Sequence, residues 1–309
     1  MTLRDPFGRN INGLRIAVTS QCNMRCLYCH HEGEVNPGDQ MSGETITNVI
    51  RAGADMGVKS IKFTGGEPLM RPDLEEILKD LPQHLDLSLT TNGTFLAERA
   101  QALAKAGLDR VNVSLDSLNP DIYSKITGGT KKDLDRVLKG IDAALEAGLT
   151  PIKLNMVILK ENEDEVWDMV DFARENGLIL QLIELLDLEG LGLGGDLGRI
   201  EDELERRADR IVTRRMHRRR KYFLQGAEVE VVRPIDNTEF CANCNRLRVT
   251  SDGKLKPCLL RNDNLVEMGS PTTKEAKDLL KKATALREPY FTGEGKKSIK
   301  RASEEHNNS

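Results

Sequence analysis

Six short aliphatic and β-branched runs alternate with amphipathic stretches over the first two-thirds of the chain, and this alternation limits the folds open to it. The runs are residues 14–19, 60–64, 85–91, 110–115, 152–159 and 179–184. Helix-period patterns lie between them at 43–56, 73–81, 96–106, 132–147 and 162–176. Gly57, Gly107, Gly148 and Gly177 stand where helices end, each shortly before the next run, as C-terminal caps do. Six such units in series predict a parallel sheet, either doubly wound or barrel-like. No GxGxxG follows the first run, which weighs against a dinucleotide-binding sheet.

The alternation stops after Asp187. A glycine-rich stretch at 189–198 reads as a loop, and 201–217 as a charged helix. The runs 222–225 and 228–232 read as two strands joined across Gly226-Ala227. The runs 247–250 and 254–256 form a hairpin around Ser251-Asp252-Gly253, since Asp-Gly favours a tight turn. A helix at 274–286 precedes a polar tail expected to be disordered. The division expected is 1–188 for the α/β part, 189–292 for a smaller β-containing region and 293–309 for the tail.

All six cysteines fall into two triads, Cys22-x3-Cys26-x2-Cys29 and Cys241-x2-Cys244 with Cys258 farther on. Disulfide frameworks use pairs and closed zinc sites use four ligands. Three thiolates instead suit a [4Fe–4S] cube with one iron left free. A Cys3His zinc site completed by His30 or His31 is the alternative at the first triad. The stretch 1–20 lacks the apolar core of a signal peptide, and acidic residues interrupt the most apolar segment, 178–193. A cytoplasmic location is therefore expected, and no membrane partner. With 45 Lys and Arg against 49 Asp and Glu, net charge −4, a nucleic-acid partner is not indicated and any anion site must be local. The basic run from Thr213 to Lys221 reads as a solvated helix face, a nucleic-acid patch, or a surface facing a bound polyanion.

The residues around these triads carry a resemblance. Cys22-Asn-Met-Arg-Cys26-Leu-Tyr28-Cys29, followed by Thr64-Gly65-Gly66-Glu67-Pro68, resembles the radical S-adenosylmethionine (SAM) enzymes. Phe240-Cys241-Ala-Asn-Cys244-Asn245-Arg246-Leu247-Arg248 with Cys258 is similar to the C-terminal region of the GTP 3′,8-cyclase family. The resemblance implies an incomplete (β/α)6 radical SAM barrel with a small C-terminal iron–sulfur region. It also implies a lyase that converts GTP to (8S)-3′,8-cyclo-7,8-dihydroguanosine 5′-triphosphate by SAM-derived radical chemistry, the first step of molybdenum cofactor biosynthesis. Two [4Fe–4S] clusters would sit on Cys22, Cys26 and Cys29 and on Cys241, Cys244 and Cys258. The implied SAM contacts are Tyr28, Gly66, Ser114 and Leu186. The implied GTP contacts are Arg15, Lys62, Thr90, Lys153, Arg246, Leu247 and Arg248.

The implied partners are an external electron donor and a downstream cyclic pyranopterin monophosphate synthase, with a homodimer left open. Lys62 stands where many members have arginine, and Leu186 where methionine is common. Many members also end in a Gly-Gly tail, whereas this sequence ends Glu305-His-Asn-Asn-Ser309. A peptide-modifying radical SAM enzyme and a zinc-binding interaction module are the competing readings.

Overall fold

The computed structural model describes residues 2–35, 37–187, 190–234 and 238–289. The tail expected at 293–309, and Glu189 of the expected loop, lie outside these residues. The six repeating units form β1 (Gly13–Ala17), α1 (Gly43–Asp55), β2 (Ser60–Thr64), α2 (Leu74–Lys79) and β3 (Asp86–Thr91). They continue through α3 (Leu96–Lys105), β4 (Arg110–Ser114), α4 (Pro120–Thr127), α5 (Lys131–Glu146), β5 (Lys153–Ile158), α6 (Val166–Glu175) and β6 (Ile179–Glu184). The four glycines expected as helix caps all adopt positive φ, from +64° to +100°, where a side chain would be strained. Helix α4 was not anticipated. Asn119 caps its N-terminus, Pro120 occupies its first turn, and Gly128 closes it at φ 67°.

The C-terminal region supplies α7 (Leu197–Arg207), β7 (Arg210–Thr213), β8 (Arg220–Leu224), β9 (Ala227–Val232), α8 (Thr238–Ala242), β10 (Arg246–Val249), β11 (Lys254–Lys256), β12 (Val266–Glu267) and α9 (Thr273–Ala285). The charged helix expected at 201–217 therefore ends at Arg207. The β-branched Ile211-Val212-Thr213 enter a strand, and the basic run beyond it is a connection to β8, not a helix face.

One open sheet holds all of these strands, in the order β12-β11-β10-β1-β2-β3-β4-β5-β6-β9-β8-β7. The C-terminal strands thus extend both ends of the six-stranded partial barrel. β10 lies parallel to β1, with Arg248 opposite Arg15, and β9 lies parallel to β6, with Glu230 opposite Gln181. Strands from both sides of the division expected from sequence share this one sheet.

Side chains alternate across a strand, and here the two faces differ in kind. Leu14, Ile16, Ile61, Phe63, Leu89, Val111, Val113, Leu154, Leu180, Val229 and Leu247 belong to the hydrophobic core. The alternate residues Arg15, Lys62, Thr90, Asn112, Lys153, Gln181, Arg246 and Arg248 line a cavity on the other face. A lumen filled by aliphatic layers would be core; this polar one is a binding chamber.

Candidate active site

The cavity measures about 880 Å³, within the range of small-molecule sites. Among the described residues, twelve Lys and Arg side chains line it against three carboxylates, Glu32, Asp86 and Glu288. Such an excess in a partly enclosed space calls for an anionic occupant.

Two carboxylates, one half-buried and one fully buried, hold the cations in place. Glu32, in the loop after the first triad, has φ 56°. It accepts from Arg15 Nε at 2.9 Å and Nη2 at 2.5 Å, from Arg248 Nη1 at 2.9 Å and from Thr64 Oγ1 at 2.8 Å. Burial alone would raise its pKa, but Arg15 and Arg248 pull it well below the usual carboxylate range. Glu230 on β9 is fully buried and meets Lys153 Nζ at 2.5 Å, Arg219 Nη1 at 3.0 Å and Arg214 Nη1 at 3.1 Å. Its pKa is likewise held down, to about 2, because Arg219, Lys153 and Arg214 outweigh burial. Lys62 donates to Asn112 Oδ1 at 2.9 Å. Burial, and then Arg246, Arg15, Arg110 and Lys153, push its pKa well down. Burial, then Arg15, Arg219 and Arg248, push Arg246 down to about 9.

The first triad occupies the loop at the C-terminal end of β1. Burial pushes the thiols of Cys22, Cys26 and Cys29 up, so the bare sulfurs stay protonated until a cationic centre draws the thiolates. The glycine pair is stitched to this loop. Gly66 N donates to Thr19 O at 2.9 Å and Glu67 N to Gln21 O at 2.7 Å. A Cβ on Gly66 would lie 2.2 Å from Gln21 O, so only glycine fits. Glu67 accepts from Leu69 N, Thr91 Oγ1 and Asn92 N, which ties the ends of β2 and β3 together. Gly65 and Gly66 also line a smaller cavity of about 210 Å³, with Ser20, His31 and Glu34. Tyr28 Oη donates to Asp116 Oδ2 at 2.5 Å, and Asp116 also receives Val157 N. Burial pushes Asp116 up to about 6.

The second triad faces the large cavity, which Cys241, Cys244 and Cys258 all line. Arg287 Nη2 donates to Cys244 Sγ at 3.4 Å and to its carbonyl at 3.2 Å, while Arg9 Nη1 holds Cys241 O at 2.9 Å. Asp5 accepts from both arginines. Cys244 precedes β10 and the first triad follows β1; these two strands run parallel in register. The first triad therefore lies in the loop beyond the C-terminal end of β1, and Cys244 just before the N-terminal end of the neighbouring β10.

An all-thiol donor set of three suits an iron–sulfur cube. Among the described residues no three His, Cys, Asp or Glu side chains converge as a single-ion site requires. His31 Nδ1 lies 3.8 Å from Cys29 Sγ, and His30 instead lines the large cavity with Nδ1 unpaired.

Of the contacts read from sequence, Arg15, Lys62, Thr90, Lys153, Leu186, Arg246 and Arg248 line the large cavity together. Tyr28 and Gly66 gather around the first triad, and Ser114 closes β4 beside Asn155 of β5. Leu247 stands apart. Its side chain is fully buried in the core on the opposite face, so only its backbone is available to a ligand in the lumen. Sequence reasoning missed Glu32, Glu230 and Asp116 as organisers, because their partners come from distant strands.

The polar-lumened partial barrel with three thiols after its first strand defines a radical SAM protein. Residues 16–173 match the Radical SAM superfamily model and residues 180–292 the Molybdenum Cofactor Synthesis C model. Crystal structures of similar fold include Streptococcus suis SuiB bound to S-adenosylmethionine, with a TM-score of 0.65, 20% identity, and 87% of this chain and 64% of that one covered. A further solved structure of similar fold is native anSMEcpe with bound AdoMet, with a TM-score of 0.58, 19% identity, and coverage of 93% and 82%. A probable GTP 3′,8-cyclase of Methanocella arvoryzae is 53% identical over 94% of this chain and 95% of its own length. A probable GTP 3′,8-cyclase of Methanosarcina mazei is 51% identical over 94% and 90%. The chain belongs to the GTP 3′,8-cyclase family of the radical SAM superfamily, and with that membership come SAM and an iron–sulfur cluster. No helix among the described residues is long and apolar enough to cross a membrane.

Proposed function

We infer that the protein is a lyase that converts GTP to (8S)-3′,8-cyclo-7,8-dihydroguanosine 5′-triphosphate, the first step of molybdenum cofactor biosynthesis. The observation that carries this reading is the cation-lined lumen walled by the second cysteine triad, with the first triad in the loop that follows β1. The lumen carries the positive charge a triphosphate needs. Cys22, Cys26 and Cys29 would hold one [4Fe–4S] cluster, and Cys241, Cys244 and Cys258 a second. When bound, the first cluster with SAM supplies the one-electron chemistry that no side chain can.

The chain's own residues bind, orient and exclude water. Gly65 and Gly66 let a ligand approach the backbone closely. Tyr28, fixed by Asp116, offers a polar contact in the first triad's loop, with Ser114 at the end of β4 and Leu186 on the lumen wall as the further SAM contacts proposed. Arg15 and Arg248, already aligned by Glu32, present forked donors suited to phosphate oxygens. Lys62, Thr90, Lys153 and Arg246 add donors along the lumen, so the substrate is held at several points along its length. The backbone of Leu247 joins this set.

Soluble partners fit the same reading: an external reductant, a cyclic pyranopterin monophosphate synthase that consumes the product, and a cytoplasmic setting. Anaerobic iron analysis tests the cluster count. About eight irons per chain are expected, and about four would limit the protein to one cluster.

A further inference from the structure

The basic run between β7 and β8 has no role in the contacts carried over from the family, yet it enters the lumen. Arg214, Met216, His217 and Arg219 all line the cavity. The run reaches inward because His217 is buried, stacked on Phe240 with ring centroids 3.8 Å apart. The connection also turns through positive φ at His217 and Arg218, 58° and 52°. The turn leaves Arg214 and Arg219 converging on Glu230 beside Lys153. One carboxylate therefore faces three cations, leaving a surplus of two positive charges on the lumen wall. Arg219 has 8% of its side chain exposed, and its Nε is buried with no hydrogen-bond partner. Arg219 also lies near enough to Arg246 to disfavour that residue's charge, so the two ends of the sheet present cations to one another across the lumen. Buried charge of this kind needs an anion.

We propose that Arg214 and Arg219, held with Lys153 around Glu230, form a polyphosphate cradle that completes the phosphate site begun by Arg15 and Arg248. The proposal rests on the lumen as the GTP site and names the residues that bind its triphosphate. Glu230 is a positioning residue: it keeps the three cations charged and convergent while leaving most of their charge unneutralised. Forked guanidinium donors suit phosphate oxygens.

The test measures dissociation constants of GTP, guanosine and inorganic tripolyphosphate on the anaerobically reconstituted protein and on R214Q and R219Q. Each variant is expected to weaken GTP and tripolyphosphate by about 10-fold to 100-fold, the loss of a charge-assisted bond. Guanosine binding should stay within about 2-fold, because the nucleoside carries no phosphate for these arginines. Unchanged GTP and tripolyphosphate binding in both variants overturns the proposal, as does a parallel loss of guanosine, which marks a structural role. Arg214 is 36% exposed, and its removal leaves Glu230 with two cations, so R214Q decides alone if R219Q does not fold. Tripolyphosphate that binds and responds to the variants in a protein without GTP-dependent turnover upholds the cradle and removes the nucleotide reading.

Discussion

At the scale of the residue, buried carboxylates determine what the lumen's cations can do. Glu230 has no access to solvent and three cationic partners. Its folded pKa of about 2 lies below the ordinary value of 4.5. A depressed carboxylate contributes stability that is present above pH 4.5 and lost as pH falls toward 2. The contribution is about 3 kcal/mol from a shift of this size. E230Q should therefore lower the unfolding free energy read from urea titration near pH 7 by about 3 kcal/mol, and its gap from the parent should close as pH falls from 4.5. Tripolyphosphate should restore part of the loss near pH 7 by supplying the missing negative charge. A gap that persists unchanged to pH 2 would show that Glu230 does not act as a counter-ion. Gly66 makes a different demand, because a methyl group there meets the Gln21 carbonyl at 2.2 Å. G66A should displace the cysteine loop and cut turnover by about 100-fold, and titration should show weaker GTP binding as well, because Glu32 of that loop aligns Arg15 and Arg248.

At the scale of the element, β10 joins the two halves of the site. Leu247 anchors it in the core on one face while Arg246 and Arg248 enter the lumen on the other. Truncation to L247A should cost about 3 kcal/mol, and a melting series should show it. It should weaken GTP binding only as far as β10 loses its register. C258A acts at the turn after β11. It is expected to reduce iron from about eight to about four per chain and to weaken GTP binding, while SAM binding stays near the parental value.

Most of the strands and helices could be read from period and punctuation, because the helix-capping glycines and the Asp-Gly turn are local signals. Helix α4 escaped notice because its eight residues include β-branched Ile and Thr and give too short a pattern, although Asn119-Pro120 and Gly128 mark its ends. β7 was read as helix because Arg210–Thr213 is exposed along its whole length and shows no alternation. The cysteines and lumen cations were legible as residue types in recognisable motifs. Their counter-ions were not: Glu230 meets Lys153 across 77 residues, and nothing local in the chain marks that pairing.

At the scale of the whole molecule, a single sheet has been lengthened at both ends so that its C-terminal strands narrow the open barrel into one chamber. Parallel pairing of β10 with β1 and of β9 with β6 brings the second cysteine triad onto the wall of that chamber, with the first in the loop beyond β1. The cations along the chamber make it a site for a polyanion. The account therefore requires that chemistry at the first triad be coupled to a nucleotide in the lumen. The most direct measurement is 5′-deoxyadenosine release by the fully iron-loaded protein, incubated anaerobically with SAM and a reductant, with and without GTP. The account predicts release that depends on GTP. Release at the same rate without GTP, or none in its presence, would contradict it.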